Sequence, residues 1–294
     1  MPSGLLLIDK PTGPTSHDVV ALVRRGAKER QVGHAGTLDP LATGLLVVCV
    51  GSATRLSEYL LNKDKRYLAH VRLGQSTNTY DAAGAITATS ERLPERAAVE
   101  AALINFRGPV WQRPPAFSAI KRGGQKLYEL ARRGEAVELE PRRVTIYHLE
   151  IVEWAPPICV LEVLVSAGTY IRSLAHDLGQ ALGCGAHLAA LRRTHSGQFA
   201  VAEAVTVEAL QTEFAAGTWA ARLKPLAAAV PDWPTLALSA EEARRVQNGQ
   251  FLPLAEDVAA DALARATTSE NEFFAVLKAD AQRRVWRPEK VLRG

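Results

Sequence analysis

What most constrains the fold of this chain is the order in which its two hydrophobic periods appear. The apolar run at 5–8 reads as a short buried strand, and residues 10–14 (KPTGP) read as a turn, because two prolines fix the backbone there and a glycine frees it. Val19, Leu22 and Val23 then share one face at helical spacing, with Thr15 or Ser16 to cap the helix, Asp18 in its first turn and Arg24 and Arg25 near its end. Residues 31–44 carry neither period, and three glycines and one proline in fourteen positions predict a loop that leads into a strand at 45–50. Residues 66–73 alternate Tyr67, Ala69, Val71 and Leu73 against a more polar set, the pattern of a strand with one buried face.

Helical spacing returns at 95–106, where Val99, Leu103 and Phe106 fall together. A segment from 107 to 143, opening with Gly108, Pro109, Pro114 and Pro115, looks inserted. Strands are expected at 144–153 and 158–166, followed by a helix at 170–182 that buries Ile171, Leu174, Leu178 and Leu182. Such interleaving with long antiparallel-looking pairs predicts an α+β fold and not a repeated βαβ sheet. Pro231 and Pro234 mark a linker. The tail from about 236 to 294 is expected to form its own β-rich unit, with a capping box at Ser239 and Glu242 opening a helix that ends near Gly249, and strands at 273–277 and 285–286.

At 294 residues, 22% charged and 47% hydrophobic, the chain has room for one large domain or two ordinary ones, and disorder, collagen and coiled coil are excluded. Its longest apolar run, six residues at 45–50, is far short of the roughly 20 that span a bilayer. The apolar stretch at 5–8 is followed by Asp9 and is shorter than the core of about 7 residues in a signal peptide, so a cytoplasmic protein is expected. Cys49, Cys159 and Cys184 are odd in number and set among apolar neighbours, which predicts buried thiols. Cys184 and His187 have half-site spacing for zinc without a second pair, so no metal is expected. The +4 formal charge is mild, but its distribution is uneven: residues 107–143 hold nine basic and four acidic side chains, leaving the rest of the chain at −1. The last fifteen residues add five basic against two acidic, a face suited to phosphates.

The loop around His34, Asp39 and Pro40 presents a base and a carboxylate on a glycine-flanked backbone, where functional groups tend to be displayed. By itself an Asp before a Pro mostly shapes a turn. A glycosidase would need a second carboxylate, and Asp81 is the only other nearby acid on a turn-like stretch. No Gly-rich phosphate loop, Ser-centred elbow or His-x-x-x-His pair is present, and nothing calls for a nucleotide cofactor or metal.

Six segments in order, DKPTGPTS (9–16), GHAGTLDPLATGLL (33–46), KRY (65–67), RLGxxTxTxD (72–81), PPAFSAIKRGGQKLYELARRG (114–134) and GTYIRSLAHDLG (168–179), with GAHLAALRRTHSG (185–197) extending them, resemble the TruB family of bacterial tRNA pseudouridine synthases. That family isomerises uridine 55 in the tRNA T loop. The resemblance implies a mixed, mostly antiparallel sheet with outer helices over residues 1–230, and a short PUA-like RNA-binding unit at 235–294. It implies Asp39 as the essential carboxylate, acting as nucleophile or as base on the ribose, with Arg172 paired to it and holding its pKa down. Tyr67 is then the tyrosine that stacks on the target uracil and helps remove the C5 proton. His34 fills the gap left by the flipped base, Tyr170 and Leu191 line the uracil pocket, and Lys10 supports the active-site loop. The segment 107–143 resembles the arm that closes over the T loop, with Lys121, Arg132 and Arg133 toward phosphates and Trp111, Phe117 and Tyr128 offering apolar faces. The reaction needs no cofactor or protein partner, and a monomer is expected.

Two other functions fit parts of the same sequence. A tRNA-folding chaperone would use the basic arm and tail without catalysis. A guide-RNA-dependent synthase of the dyskerin type would share the catalytic motifs, but a guided protein has no need of its own clamp at 107–143.

Overall fold

Backbone pairing draws most strands of the first two hundred residues into one sheet. The computed structural model describes residues 2–115, 121–122, 125–126, 140–255 and 258–292. In chain order the elements are β1 (Gly4–Lys10), α1 (Ser16–Ala27), β2 (Val32–His34), β3 (Ala42–Val50), α2 (Ser57–Leu61), β4 (Lys65–Leu73), β5 (Gln75–Thr77), β6 (Ile86–Thr89), α3 (Arg96–Leu103) and β7 (Gly108–Gln112). They continue with β8 (Lys121–Arg122), β9 (Gln125–Lys126), β10 (Arg142–Ala155), β11 (Ile158–Val165), α4 (Ile171–Ala181), β12 (Ala186–Ser196), β13 (Phe199–Ala200), β14 (Val205–Thr206) and α5 (Val207–Ala216). The main sheet runs β14-β1-β3-β12-β4-β11-β10-β7, with β2 on β3 and β13 on β12. Among its described pairings only β1 with β14 and β3 with β12 are parallel, so the sheet is mixed and mostly antiparallel, as expected.

The helices cover one face. Val19 and Val23 of α1, Val99 and Leu103 of α3, and Ile171, Leu174 and Leu178 of α4 pack with Leu46 and Val48 of β3 and the alternating Tyr67, Ala69, Val71 and Leu73 of β4. Each fully buried aliphatic side chain contributes roughly 1.5–3 kcal/mol, which is why the two hydrophobic periods decide where these elements lie. Thr15 caps α1 in a capping box with Asp18, leaving Ser16 free for another task.

Three stretches differ from the sequence expectation. The predicted loop at 31–44 contains β2, which pairs with Val48–Val50, and β3 already starts at Ala42. Three residues are too few to show a period, and Gly44 breaks the strand pattern for a steric reason: its φ is +97°, and a Cβ there would sit 2.3 Å from the backbone oxygen of Arg193. The segment 186–196, which shows no clear alternation, is the strand β12 between β3 and β4, with register shifts between Leu188 and Ala190 and between Arg193 and His195. A strand whose register slips twice along its length loses the period-two signature. Finally, the ends of the 107–143 segment belong to the sheet: β7 and β10 pair from Gly108 with Ile146 to Gln112 with Arg142. Within it, β8 and β9 form a short antiparallel pair at Lys121 and Lys126. Phe117, Tyr128, Arg132 and Arg133, and the side chain of Lys121, lie outside the described residues.

The tail forms a second sheet from β15 (Thr235–Ala237), β16 (Leu252–Pro253), β17 (Leu263–Thr267), β18 (Phe273–Asp280) and β19 (Val285–Val291), in the order β15-β17-β18-β19-β16, with α6 (Ala240–Gln247) opening on the Ser239–Glu242 capping box. It shares a core with the sheet face that the helices leave open, where Leu5, Leu7, Leu45, Val47 and Cys49 meet Phe273, Val276 and Leu292. Tyr59 stacks edge-on against Trp233 at 4.7 Å, and Lys290 pairs with Glu58. The three cysteines are buried and unbonded, and among the described residues no helix is long and apolar enough to cross a membrane.

Candidate active site

Asp39 sits in the connection from β2 to β3, and neighbouring elements hold several of the backbone groups around it. The hydroxyl of Ser16, first residue of α1, accepts from the Leu38 N–H at 2.8 Å and donates to the Leu38 carbonyl at 3.0 Å. The Gly13 N–H donates to the Pro40 carbonyl, and the Ala42 N–H to the Asp39 carbonyl. From β12, Arg193 is 1% exposed and donates to the carbonyls of Leu45 at 2.7 Å and Gly36 at 3.0 Å. The loop that precedes the carboxylate is therefore cross-linked to α1, to the 11–14 turn and to β12, which holds Asp39 in one place.

Arg172, in the first turn of α4, reaches across to it. Its Nε lies 3.0 Å from Asp39 Oδ2, and its Nη1 lies 3.5 Å from Asp81 Oδ2 and donates to the Thr79 carbonyl at 3.4 Å. Read by period alone Arg172 would be a helix-surface cation; instead it is buried, with only 7% of its side chain exposed, and bridges two carboxylates. Asp81 is itself fixed by Thr79 Oγ1 and the Ala83 N–H. Asp39 keeps 44% of its side chain open to the cleft. Burial nonetheless pushes its carboxyl above the ordinary aspartate range; Arg172 opposes this, Asp81 adds to it and Lys10 opposes it again. The pairing expected with Arg172 is present, but its downward pull is outweighed by desolvation, so the net direction is up and not down.

Asp39 and Arg172 line a cavity of about 250 Å³ together with Tyr67, Tyr170 and Leu191, so five of the expected residues meet in one place. Tyr67 is buried on β4 opposite Arg193 of β12, and Leu191, two residues earlier on β12, stands opposite Ala69. Lys10 stands behind the loop, fully buried, with its Nζ donating to the carbonyls of Pro11 and Pro14; burial lowers its pKa to about 8, against the pull of Asp39. His34, at the end of β2, is outside the cavity lining. Its ring meets His17 edge-on at 5.5 Å, and burial lowers its pKa to about 4, so it is neutral at physiological pH.

Arg193 and Gln112 have no role assigned from the sequence, and Ser16 only that of a possible helix cap: all three act through backbone groups distant in sequence, Gln112 through both backbone groups of Tyr170, so neither charge nor spacing reveals them. Asp81 stood in a quoted motif, but its partner became visible only when α4 packed beside it. Lys65, buried next to Arg193 with a pKa lowered to about 8 by desolvation, caps the carbonyls of Leu61 and Lys63.

Comparison with known proteins adds the family. Residues 24–171 match the N-terminal domain of TruB family pseudouridylate synthases, and residues 172–230 match the tRNA pseudouridylate synthase B C-terminal domain. The chain belongs to the TruB family. The two matched regions meet between Ile171 and Arg172, so in this TruB family chain the Asp39–Arg172 pair joins one region to the other. A tRNA pseudouridine synthase B of Symbiobacterium thermophilum is 49% identical over 250 residues, covering 84% of this chain and 82% of that protein. One from Haemophilus influenzae is 40% identical over 292 residues, 98% of this chain and 95% of that protein, and so includes the tail that neither family region reaches. Among solved structures, a Cbf5-Nop10-Gar1 complex matches with a TM-score of 0.75 at 29% identity, over 99% of this chain and 85% of that one. An H/ACA RNP bound to a substrate RNA containing 2′-deoxyuridine matches with a TM-score of 0.74 at 27% identity, over 99% and 85%.

Proposed function

We propose that this enzyme converts uridine 55 in the T loop of tRNA to pseudouridine as a stand-alone protein, with residues 1–230 performing the chemistry and the PUA-like tail at 235–294 touching RNA. The observation that carries this reading is the Asp39–Arg172 pair in a cavity walled by Tyr67. At about 250 Å³ the cavity is smaller than the roughly 300–1,000 Å³ of pockets for drug-sized ligands, a size that suits one extruded base.

The isomerisation breaks the C1′–N1 bond, forms a C1′–C5 bond, removes the proton from C5 and leaves one on N1, so atoms and electrons balance without cofactor or water. Ionised Asp39 acts either on C1′ as nucleophile or on the ribose as base. Arg172 holds it in one orientation, Tyr67 offers an aromatic face to the uracil and a phenol to the C5 proton, and Tyr170 and Leu191 complete the wall. Lys10 supports the loop. His34, neutral and beside the loop, fills the gap left by the extruded base. Lys121, Arg132 and Arg133 supply the phosphate contacts of the arm.

Incubating an unmodified T-arm hairpin with the protein yields one new pseudouridine, and Asp39→Asn lowers the rate by at least about 10²-fold. Absence of product, or product unaffected by Asp39→Asn, overturns the assignment. Refolding of tRNA by the same variant separates catalysis from chaperoning, which does not require the carboxylate. The 49% identity to proteins named tRNA pseudouridine synthase B, against 29% to a Cbf5 structure, favours the stand-alone enzyme over a guide-dependent one.

A further inference from the structure

The arm leaves the main sheet at Gln112 and returns at Arg142, and these two residues form the last rung of the β7–β10 ladder. The Gln112 side chain is 3% exposed and reaches the start of α4. Its Oε1 accepts from the Tyr170 N–H at 2.8 Å, and its Nε2 donates to the Tyr170 carbonyl at 3.0 Å. One residue further on, the Arg113 carbonyl accepts from Ser173 Oγ at 2.7 Å. Arg142, on the opposite strand, lays its guanidinium over the Tyr170 ring, 4.8 Å from its centre. Tyr170 is the N-cap of α4, and its side chain makes no capping bond to the first helical N–H groups. The helix start is held by the amide of Gln112 instead, and the stitches at Tyr170 and Ser173 flank Arg172.

From this arrangement we infer that Gln112 is a positioning residue, which couples the root of the arm to the first turn of α4 and thereby aims Arg172 at Asp39. The inference rests on the pseudouridine reading above. The amide serves the backbone N–H and the backbone carbonyl through two separate atoms: glutamate keeps the acceptor and loses the donor, and an aliphatic side chain loses both. Because Tyr170 is only two residues from Arg172, a shift of the arm root is carried directly into the 3.0 Å contact with Asp39.

The test uses the full-length protein and a T-arm hairpin at saturating enzyme, with Gln112→Glu, Gln112→Ala and, as an independent cut of the same stitching, Ser173→Ala. Hairpin Kd is expected to change by no more than about threefold, while the single-turnover rate falls by about 10-fold to 10²-fold, the cost of a small misplacement of reacting groups. The acidic limb of the pH–rate profile moves to higher pH in the Gln112 variants, because an Arg172 that is no longer aimed ceases to oppose the rise in the Asp39 pKa; a general loss of stability does not move that limb. Saturated rates within about twofold of wild type, a loss confined to Kd, or a slowed rate with an unmoved limb overturns the inference. If the Gln112 variants do not fold, Ser173→Ala decides alone by its saturated rate. A wild-type protein that makes no pseudouridine removes the functional reading and the coupling together, whereas an active wild type with unaffected variants removes the coupling only.

Discussion

At the scale of single residues, Asp39 is held in an unfavourable charge state. Its folded pKa lies above the ordinary aspartate value, led by burial, so any stability it contributes is present in acid and is lost as pH rises through that folded pKa. Above it the ionised carboxylate is a cost to the fold, and Asp39→Asn is therefore expected to raise the melting temperature at neutral pH while abolishing conversion, a combination that thermal melts and product assays on the same sample check. Asp81 sharpens the sign. Its carboxylate pushes the Asp39 pKa up, so Asp81→Asn moves the acidic limb of the rate profile to lower pH, opposite to the shift expected when Arg172 loses its aim. A limb that moves upward or stays fixed in Asp81→Asn contradicts this electrostatic account.

At the scale of elements, the active-site loop keeps one turn bond of its own, from the Ala42 N–H to the Asp39 carbonyl, and borrows the rest from neighbours. Ser16 is the clearest case, since one hydroxyl satisfies both backbone groups of Leu38, and the residue is 1% exposed. Ser16→Ala leaves a buried donor and acceptor unpaired, which costs about 1–3 kcal/mol. Urea unfolding should report that loss, and the saturated conversion rate should fall with it because Asp39 is the next residue. A stability change without a rate change detaches the loop's rigidity from catalysis. The same reasoning explains which elements were readable in advance. β4 and the helices α1, α3 and α4 each bury one face, and one-sided burial writes its period into the chain. β2 and β12 do not: the first is three residues long, and the second is interrupted by two bulges.

At the scale of the whole molecule, the tail is less separate than its linker and capping box imply. Phe273, Val276 and Leu292 close over Leu5, Leu45 and Val47 of the main sheet, so the two sheets share a core in addition to the tail's own. Phe273→Ala is expected to cost about 3–5 kcal/mol and to lower the melting temperature of the entire protein as one transition. Two separated calorimetric transitions in this variant, with the upper one at the wild-type temperature, contradict a shared core. The charge asymmetry also changes meaning at this scale: Arg107 clamps the Leu149 carbonyl and Arg142 lies on Tyr170, so part of the basic excess counted at 107–143 builds the arm's root.

The sequence by itself determined the α+β class, the order of the main elements and the family, and it pointed to Asp39, Tyr67 and Arg172, which the fold brings to one cavity, because amphipathic periods and contiguous motifs are local properties of a chain. Tertiary structure alone decided that Arg172 is buried between two carboxylates, that desolvation outweighs its pull on Asp39, that Arg193, Ser16 and Gln112 hold the site, and that His34 stands outside the cavity. Those facts depend on residues far apart in the chain coming within about 3 Å of one another, the range of a hydrogen bond. Net burial of a charge is likewise a sum over everything packed around it, which no single segment carries.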